Sequence, residues 1–274
     1  MKYRLLVTDL DDTLLGHDGK VSEGNRESIQ AAIAAGVKVC LATGRMLCSA
    51  LPIARSLGIH NGPIICCQGA VVADVQSGQI LSRVGVPRAL ALEVLGFAEA
   101  NSIYAHYVSD ETYFLREATP ESKVYAKMNG GHYGVETGEA FYDRLVFDPQ
   151  KILLIGSPEK VAALYQEAQA KWGEQLSVVV SRPMFLEFSH KDAHKGFALK
   201  NLARLACVSL AQTLAIGDGM NDLTMIQAAG FGVAIGNAVE ALKDAAGYVA
   251  PPNDEDGVAH VIGRFLLPSE TNAL

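Results

Sequence analysis

The chain has 274 residues, of which 49% are apolar and 19% charged, and it carries a net charge of −7. That is room for one large domain or two small ones with ample core-forming side chains, which excludes a disordered chain. No block of five or six Lys and Arg occurs and no apolar run reaches 18 residues, which argues against nucleic acid as a partner and against a membrane span.

The first element is the apolar run Leu5-Leu6-Val7-Thr8, which ends in Asp9-Leu10-Asp11-Asp12-Thr13. A strand that closes on two carboxylates two positions apart has set like charges where a core would not keep them, unless a cation or a reaction requires it. The stretch before these acids is too short for a signal peptide. Asn25 to Ala35 carries Ile29 and Ile33 at helical spacing and stops at Gly36. A second apolar run, Val37 to Leu41, passes into Ala42-Thr43-Gly44, and a helix with Pro52 inside it is expected from Met46 to Leu57. A third run, Pro63 to Cys67, ends in Gln68-Gly69.

From about Gly85 to Glu187 the pattern changes. Tyrosines cluster, helices are expected over Pro87–Ala100 and Pro158–Trp172, and short strand-like pieces mix with them. The core pattern then returns. A helix from Gly196 to Ala206 leads into the run Thr213 to Ile216, which ends in Gly217-Asp218-Gly219-Met220-Asn221-Asp222. A helix over Asp222–Ala229 and a fifth run, Phe231 to Asn237, follow.

Alternation of buried runs and helices predicts a Rossmann-like α/β fold with a parallel sheet and right-handed crossovers. In such sheets the strand carboxyl ends gather the ligand. Asp9, Asp11, Thr43, Gly44 and Asp218 therefore become neighbours. The expected division is a core of residues 1–84 and 188–274, with an α+β domain of residues 85–187 inserted between its third and fourth strands.

Gly217-Asp218-Gly219-Met220-Asn221-Asp222 begins like a dinucleotide fingerprint, but Asp222 stands where the third glycine should be, and a carboxylate there would repel a pyrophosphate. Four carboxylates at one open edge call for a hard cation that keeps some of its waters, which favours Mg²⁺. Lys195, at a helix start, and Thr43-Gly44-Arg45, expected to open another helix, suit phosphate oxygens. The set is the equipment of aspartyl-phosphate chemistry.

Four segments carry a resemblance: Asp9-Leu10-Asp11-Asp12-Thr13-Leu14-Leu15, Leu41-Ala42-Thr43-Gly44-Arg45, His194-Lys195-Gly196 and Gly217 to Asp222. In kind and order they resemble the four motifs of the haloacid dehalogenase (HAD) superfamily, and the place of the inserted domain resembles the Cof-like phosphatases with a large α/β cap. The resemblance implies a Mg²⁺-dependent phosphatase acting on small phosphomonoesters, such as sugar phosphates, pyridoxal phosphate or flavin mononucleotide.

By position, it implies that Asp9 attacks phosphorus and Asp11 serves as acid and then base. Leu10, Thr43, Gly44, Lys195 and Asn221 would hold the phosphate. Asp9, Asp11 (through its backbone carbonyl) and Asp218 would take the metal, with Asp222 orienting its waters. Two positions depart from the subfamily: Asp12 replaces the usual Gly, and Gln68-Gly69-Ala70 replaces Asn-Gly-Ala, so no role is carried over for Gln68.

The rival readings are a phosphomutase or phosphotransferase with the same intermediate, and a non-catalytic phospholigand-binding regulator. Five cysteines without a CxxC pair suggest reduced, buried thiols and a cytoplasmic protein. His190 and His194, at i and i+4, lack the glutamate of a zinc-protease helix and are expected in a loop. Nothing in the sequence points to a protein partner.

Overall fold

The computed structural model describes residues 2–109, 112–129 and 131–267. Met1 and the last part of the expected core segment, 268–274, lie outside the described residues. The chain forms two compact units. The first comprises Met1–Gly44, Ala50–Ser82 and His194–Leu274, and the second Arg45–Ser49 and Arg83–Ala193.

Along the chain the elements are β1 (Leu5–Asp9), α1 (Glu23–Ala34), β2 (Lys38–Ala42), α2 (Leu47–Ser56), β3 (Pro63–Cys66), β4 (Val71–Asp74) and β5 (Ile80–Arg83). There follow α3 (Arg88–Ala100), β6 (Tyr104–Val108), β7 (Tyr113–Leu115), α4 (Pro120–Met128), β8 (Val135–Glu136), β9 (Lys151–Ile155), α5 (Pro158–Trp172), β10 (Leu176–Arg182) and β11 (Phe185–His190). Last come α6 (Lys195–Leu205), β12 (Thr213–Gly217), α7 (Leu223–Ala228), β13 (Phe231–Ala234), α8 (Glu240–Ala245), β14 (Tyr248–Val249) and α9 (Gly257–Phe265).

The first sheet has the order β14-β13-β12-β1-β2-β3-β4-β5. Pairing is parallel from β14 to β3, and β4 turns back antiparallel on β3. All five residues of β1 and of β12 are buried, as strands covered on both faces must be. The register pairs Asp9 with Ala42 and Thr8 with Ile216, so β1, β2 and β12 end level with one another. Helix α1 is capped by Ser22, whose Oγ accepts the Asn25 N–H, and packs against α9.

The expected helices and core runs are all present, with ends shifted by at most three residues. The antiparallel pair β4 and β5 and the short β14 add to the five expected strands. Cys40, Cys66 and Cys67 are buried as expected, and burial pushes the Cys40 thiol far up. Cys48 and Cys207 are exposed instead, the first near the start of α2 and the second in the turn after α6. Among the described residues no helix is long and apolar enough to cross a membrane.

The second unit is a sheet of order β10-β11-β9-β6-β7-β8, antiparallel except for β7 with β8. Its core joins Val94, Leu95 and Ala98 of α3 and Val161, Leu164 and Trp172 of α5 to Tyr107, Ile152, Leu154 and Phe188 of the sheet. Trp172 meets Phe97 and Phe188 edge to face. Tyr107 and Tyr113 are buried packing residues. Tyr107 donates to the Phe141 carbonyl at 3.0 Å and Tyr113 to that of His132 at 3.3 Å.

His106 is fully buried between Tyr113 and Tyr125, and its Nε2 has no hydrogen-bond partner among the described residues. Burial, with Lys151 adding to it, holds its pKa well below the usual histidine range. The native state thus keeps His106 neutral, while the unfolded chain takes up a proton below pH ~6.5. Stability contributed by the neutral ring is present above that pH and is lost as the pH falls. We expect urea unfolding to show wild-type stability falling faster than that of His106→Phe below pH ~6.5, by up to about 1.4 kcal/mol per pH unit. Parallel pH profiles would rule this out.

Candidate active site

The site is built on three strand ends. β1 delivers Asp9, the loop after β2 delivers Thr43 and Gly44, and the loop after β12 delivers Asp218 to Asp222. Beyond Asp9 the chain coils at once, with the N–H groups of Leu14 and Leu15 both bonded to the Leu10 carbonyl. This coil buries Leu10 and Leu14 and turns Thr13 inward, where its hydroxyl donates to Asp218 Oδ1 at 2.7 Å. Thr13 thus orients a site carboxylate. The spacing of two from Asp9 through Asp11 to Thr13 was its only mark in the sequence.

Asp12 stands in this coil at φ 58°, in the left-handed region. That conformation explains why the subfamily favours Gly here, and Asp is among the few other residues that take it readily. Asn237 braces the coil by donating to the Asp12 carbonyl at 2.8 Å.

Lys195 is the first residue of α6 and is completely buried. Its ammonium donates to Asp9 Oδ1 and, at 2.6 Å, to Asp222 Oδ1. Asp222 Oδ2 accepts the N–H groups of Asp218 at 3.1 Å and Gly219 at 3.0 Å. Both oxygens of Asp222 are therefore committed within the protein, one to Lys195 and the other to the turn. The close approach requires Gly217, where a Cβ would lie 2.5 Å from Asp222 Cβ.

His194 caps α6, its Nδ1 accepting the Phe197 N–H at 3.2 Å and lying 3.1 Å from Thr224 Oγ1. Thr224 also accepts the Gly196 N–H at 3.1 Å, which bolts the start of α6 to α7. The expected loop around His190 and His194 is thus the end of β11, a turn and a helix cap. Neither histidine belongs to a metal-holding group among the described residues.

The electrostatics of this cluster are unbalanced. Burial pushes the Asp9 carboxyl well up, and Asp222 and Asp218 add to it against the pull of Lys195. Burial also raises Asp218, against the Thr13 hydrogen bond. For Lys195 burial alone would lower the pKa, but Asp9 and Asp222 outweigh it and hold the ammonium above the usual lysine range. Carboxyl oxygens of Asp9, Asp218 and Asp222 all lie within 4.8 Å of one another, which fits a divalent cation. Asp11 is exposed, and its carboxylate lies outside this group.

Thr43 is buried, and its N–H bonds to the Ile65 carbonyl at 2.9 Å. The helix expected from Met46 begins at Leu47. Thr43, Gly44 and Arg45 form the bend before α2, so the Gly44 amide is a loop N–H, not one from a helix terminus. Asn221 is exposed and donates to Gln68 Oε1 at 3.1 Å.

Residues 6–262 match the haloacid dehalogenase-like hydrolase family. The chain belongs to that family. It is 30% identical to the HMP-PP phosphatase of Serratia proteamaculans, over 96% of each chain, and 29% identical to phosphatase YwpJ of Bacillus subtilis, over 96% of this chain and all of that one. A solved haloacid dehalogenase-like hydrolase of Bacteroides thetaiotaomicron superposes with a TM-score of 0.87 at 30% identity, covering 96% of this chain and 99% of the other. The HAD chain described here is accordingly a hydrolase of the Cof-type phosphatases. The geometry of Asp9, Lys195, Asp218 and Asp222 is the part of it on which a reaction can be argued.

Proposed function

We propose that this HAD enzyme hydrolyses small phosphomonoesters with Mg²⁺ through a phosphoaspartate on Asp9. The observation that carries the reading is the buried Lys195 ammonium shared between Asp9 and Asp222, with the Asp218 carboxylate beside them. Asp9 and Asp218, with the Asp11 carbonyl, would hold the cation, and Asp222 would stand behind them. Bound there, Mg²⁺ would neutralise the carboxylates and draw charge from the phosphoryl oxygens.

Asp9 then attacks phosphorus with one carboxylate oxygen while the phosphorus–alkoxide bond breaks. Asp11, exposed beside the nucleophile, would serve as the general acid that gives a proton to the departing alkoxide. In the second half Asp11, now a carboxylate, takes a proton from water. The resulting hydroxide attacks phosphorus and releases Asp9 and inorganic phosphate. Lys195 orients Asp9 and favours its ionised form, and Thr43 with the Leu10 and Gly44 amides would receive the phosphoryl oxygens. The second unit, which interrupts the core between Ser82 and His194, would serve as the specificity cap.

The substrate class is that of small phosphorylated metabolites, supported by relatives such as the HMP-PP phosphatase. The test is phosphate release, with and without Mg²⁺, from sugar phosphates, pyridoxal phosphate and flavin mononucleotide. Free phosphate that requires the metal is the expected result. An isomerised phosphate ester would favour a mutase, and no turnover by folded protein would favour a phospholigand-binding regulator.

A further inference from the structure

After β3 the chain makes a tight turn in which three consecutive residues take positive φ: Cys67 at 50°, Gln68 at 60° and Gly69 at 105°. Gly is at home there, whereas Cys and Gln are not, and strain of this kind persists only where the surroundings enforce it. The surroundings here are the site itself. The Gln68 N–H bonds to the Thr43 carbonyl at 3.1 Å, and its Oε1 accepts from Asn221. A Cβ on Gly69 would run into the backbone of His194 and Lys195. The turn therefore touches three of the four motif segments.

The Gln68 side chain is held at both ends of this contact. With Oε1 engaged by Asn221, its Nε2 lies against Gly44, so close that a Cβ there would come within 2.5 Å of it. Among the described residues no protein acceptor receives these N–H groups. Two donors are thus anchored beside the loop that the proposed reaction uses for phosphate.

We propose that Gln68 is a substrate-binding residue whose Nε2 donates a hydrogen bond to an oxygen of the bound phosphate, its carboxamide aimed by Asn221 and by the left-handed turn. This rests on the phosphatase reading above. The longer Gln side chain lets the amide bridge from the turn to Asn221 while still reaching Gly44.

The test uses inorganic phosphate as the probe, as a competitive inhibitor of wild type, Gln68→Glu and Gln68→Met, with Mg²⁺ present. Gln68→Met keeps the length and loses the donor; Gln68→Glu also adds a charge facing the anion. A donor to a charged oxygen predicts an inhibition constant for phosphate weaker by roughly tenfold or more in both variants, with KM rising alongside. A fall in kcat with phosphate inhibition unchanged would mean that Gln68 only positions the loops, and would overturn the proposal. So would both constants within twofold of wild type. If Gln68→Glu fails to fold, Gln68→Met decides alone. A wild-type enzyme without Mg²⁺-dependent turnover would instead overturn the phosphatase reading, and this inference with it.

Discussion

Asp9→Asn is expected to lose phosphatase activity by roughly a thousandfold or more while the protein remains folded, because an amide cannot form the acyl phosphate. The stability of the same variant carries a second expectation. Burial and the neighbouring carboxylates raise the Asp9 pKa, so its ionised form costs free energy in the metal-free protein at neutral pH. Asn removes that charge and leaves Lys195 paired with Asp222. Metal-free Asp9→Asn should therefore unfold in urea at the wild-type concentration or higher. Residual turnover near wild type would remove Asp9 from the nucleophile's role. A loss of several kcal/mol would show that Asp9 is needed to hold the fold.

Lys195→Met is expected to do the reverse and strike stability as hard as activity. The side chain is wholly buried, and its ammonium is the cation shared by Asp9 and Asp222. Removing one member of a buried ion pair costs about 3–5 kcal/mol, because the remaining charge has no compensation.

The pH dependence follows from the protons. Burial already raises the Asp9 pKa, and without the pull of the ammonium it rises further, so the native variant binds more protons than the unfolded chain. The deficit of Lys195→Met should thus be largest at neutral pH and shrink as the pH falls toward 5. Urea midpoints for wild type and variant at pH 7.5 and 5 measure this directly. A deficit below about 1 kcal/mol at pH 7.5 would be too small for a buried pair and would argue against the geometry.

The strands and the charged segments were legible because the two coincide. The five expected parallel strands read as apolar runs, and Asp9, Thr43 and Asp218 each close or follow one, so these three could be placed together from topology alone. What could not be read depends on contacts between segments far apart. Nothing local pairs Lys195 with Asp222, or aims Thr13 at Asp218.

Thr43-Gly44-Arg45 reads as the opening of α2, whereas tertiary contacts hold it as a bend before the helix. β4 and β5 escaped notice because they follow the left-handed turn at Cys67 to Gly69, where Cys and Gln give no signal for positive φ. α4 was missed because Val124 and Met128 are exposed, so its apolar stripe is weak, although Thr119 and Ser122 form a capping box.

The discontinuity of the first unit also sets an order of assembly. Asp9 and Lys195 are 186 positions apart in the chain, and Thr13 and Asp218 are 205 apart. β1 cannot gain its neighbour β12 until the whole second unit has been made. That unit is nearly continuous in sequence, so on the ribosome it can complete its own sheet first. β1 can pair with β2 at once, but its other edge must wait for β12 open to water, at an end that carries like charges. Such a strand is slow to find its place, because closing so long a loop is opposed by chain entropy. Its carboxylates also guard it, since charge at a strand end discourages pairing with another chain. The residues proposed for chemistry would then have an earlier duty, in keeping the nascent chain soluble.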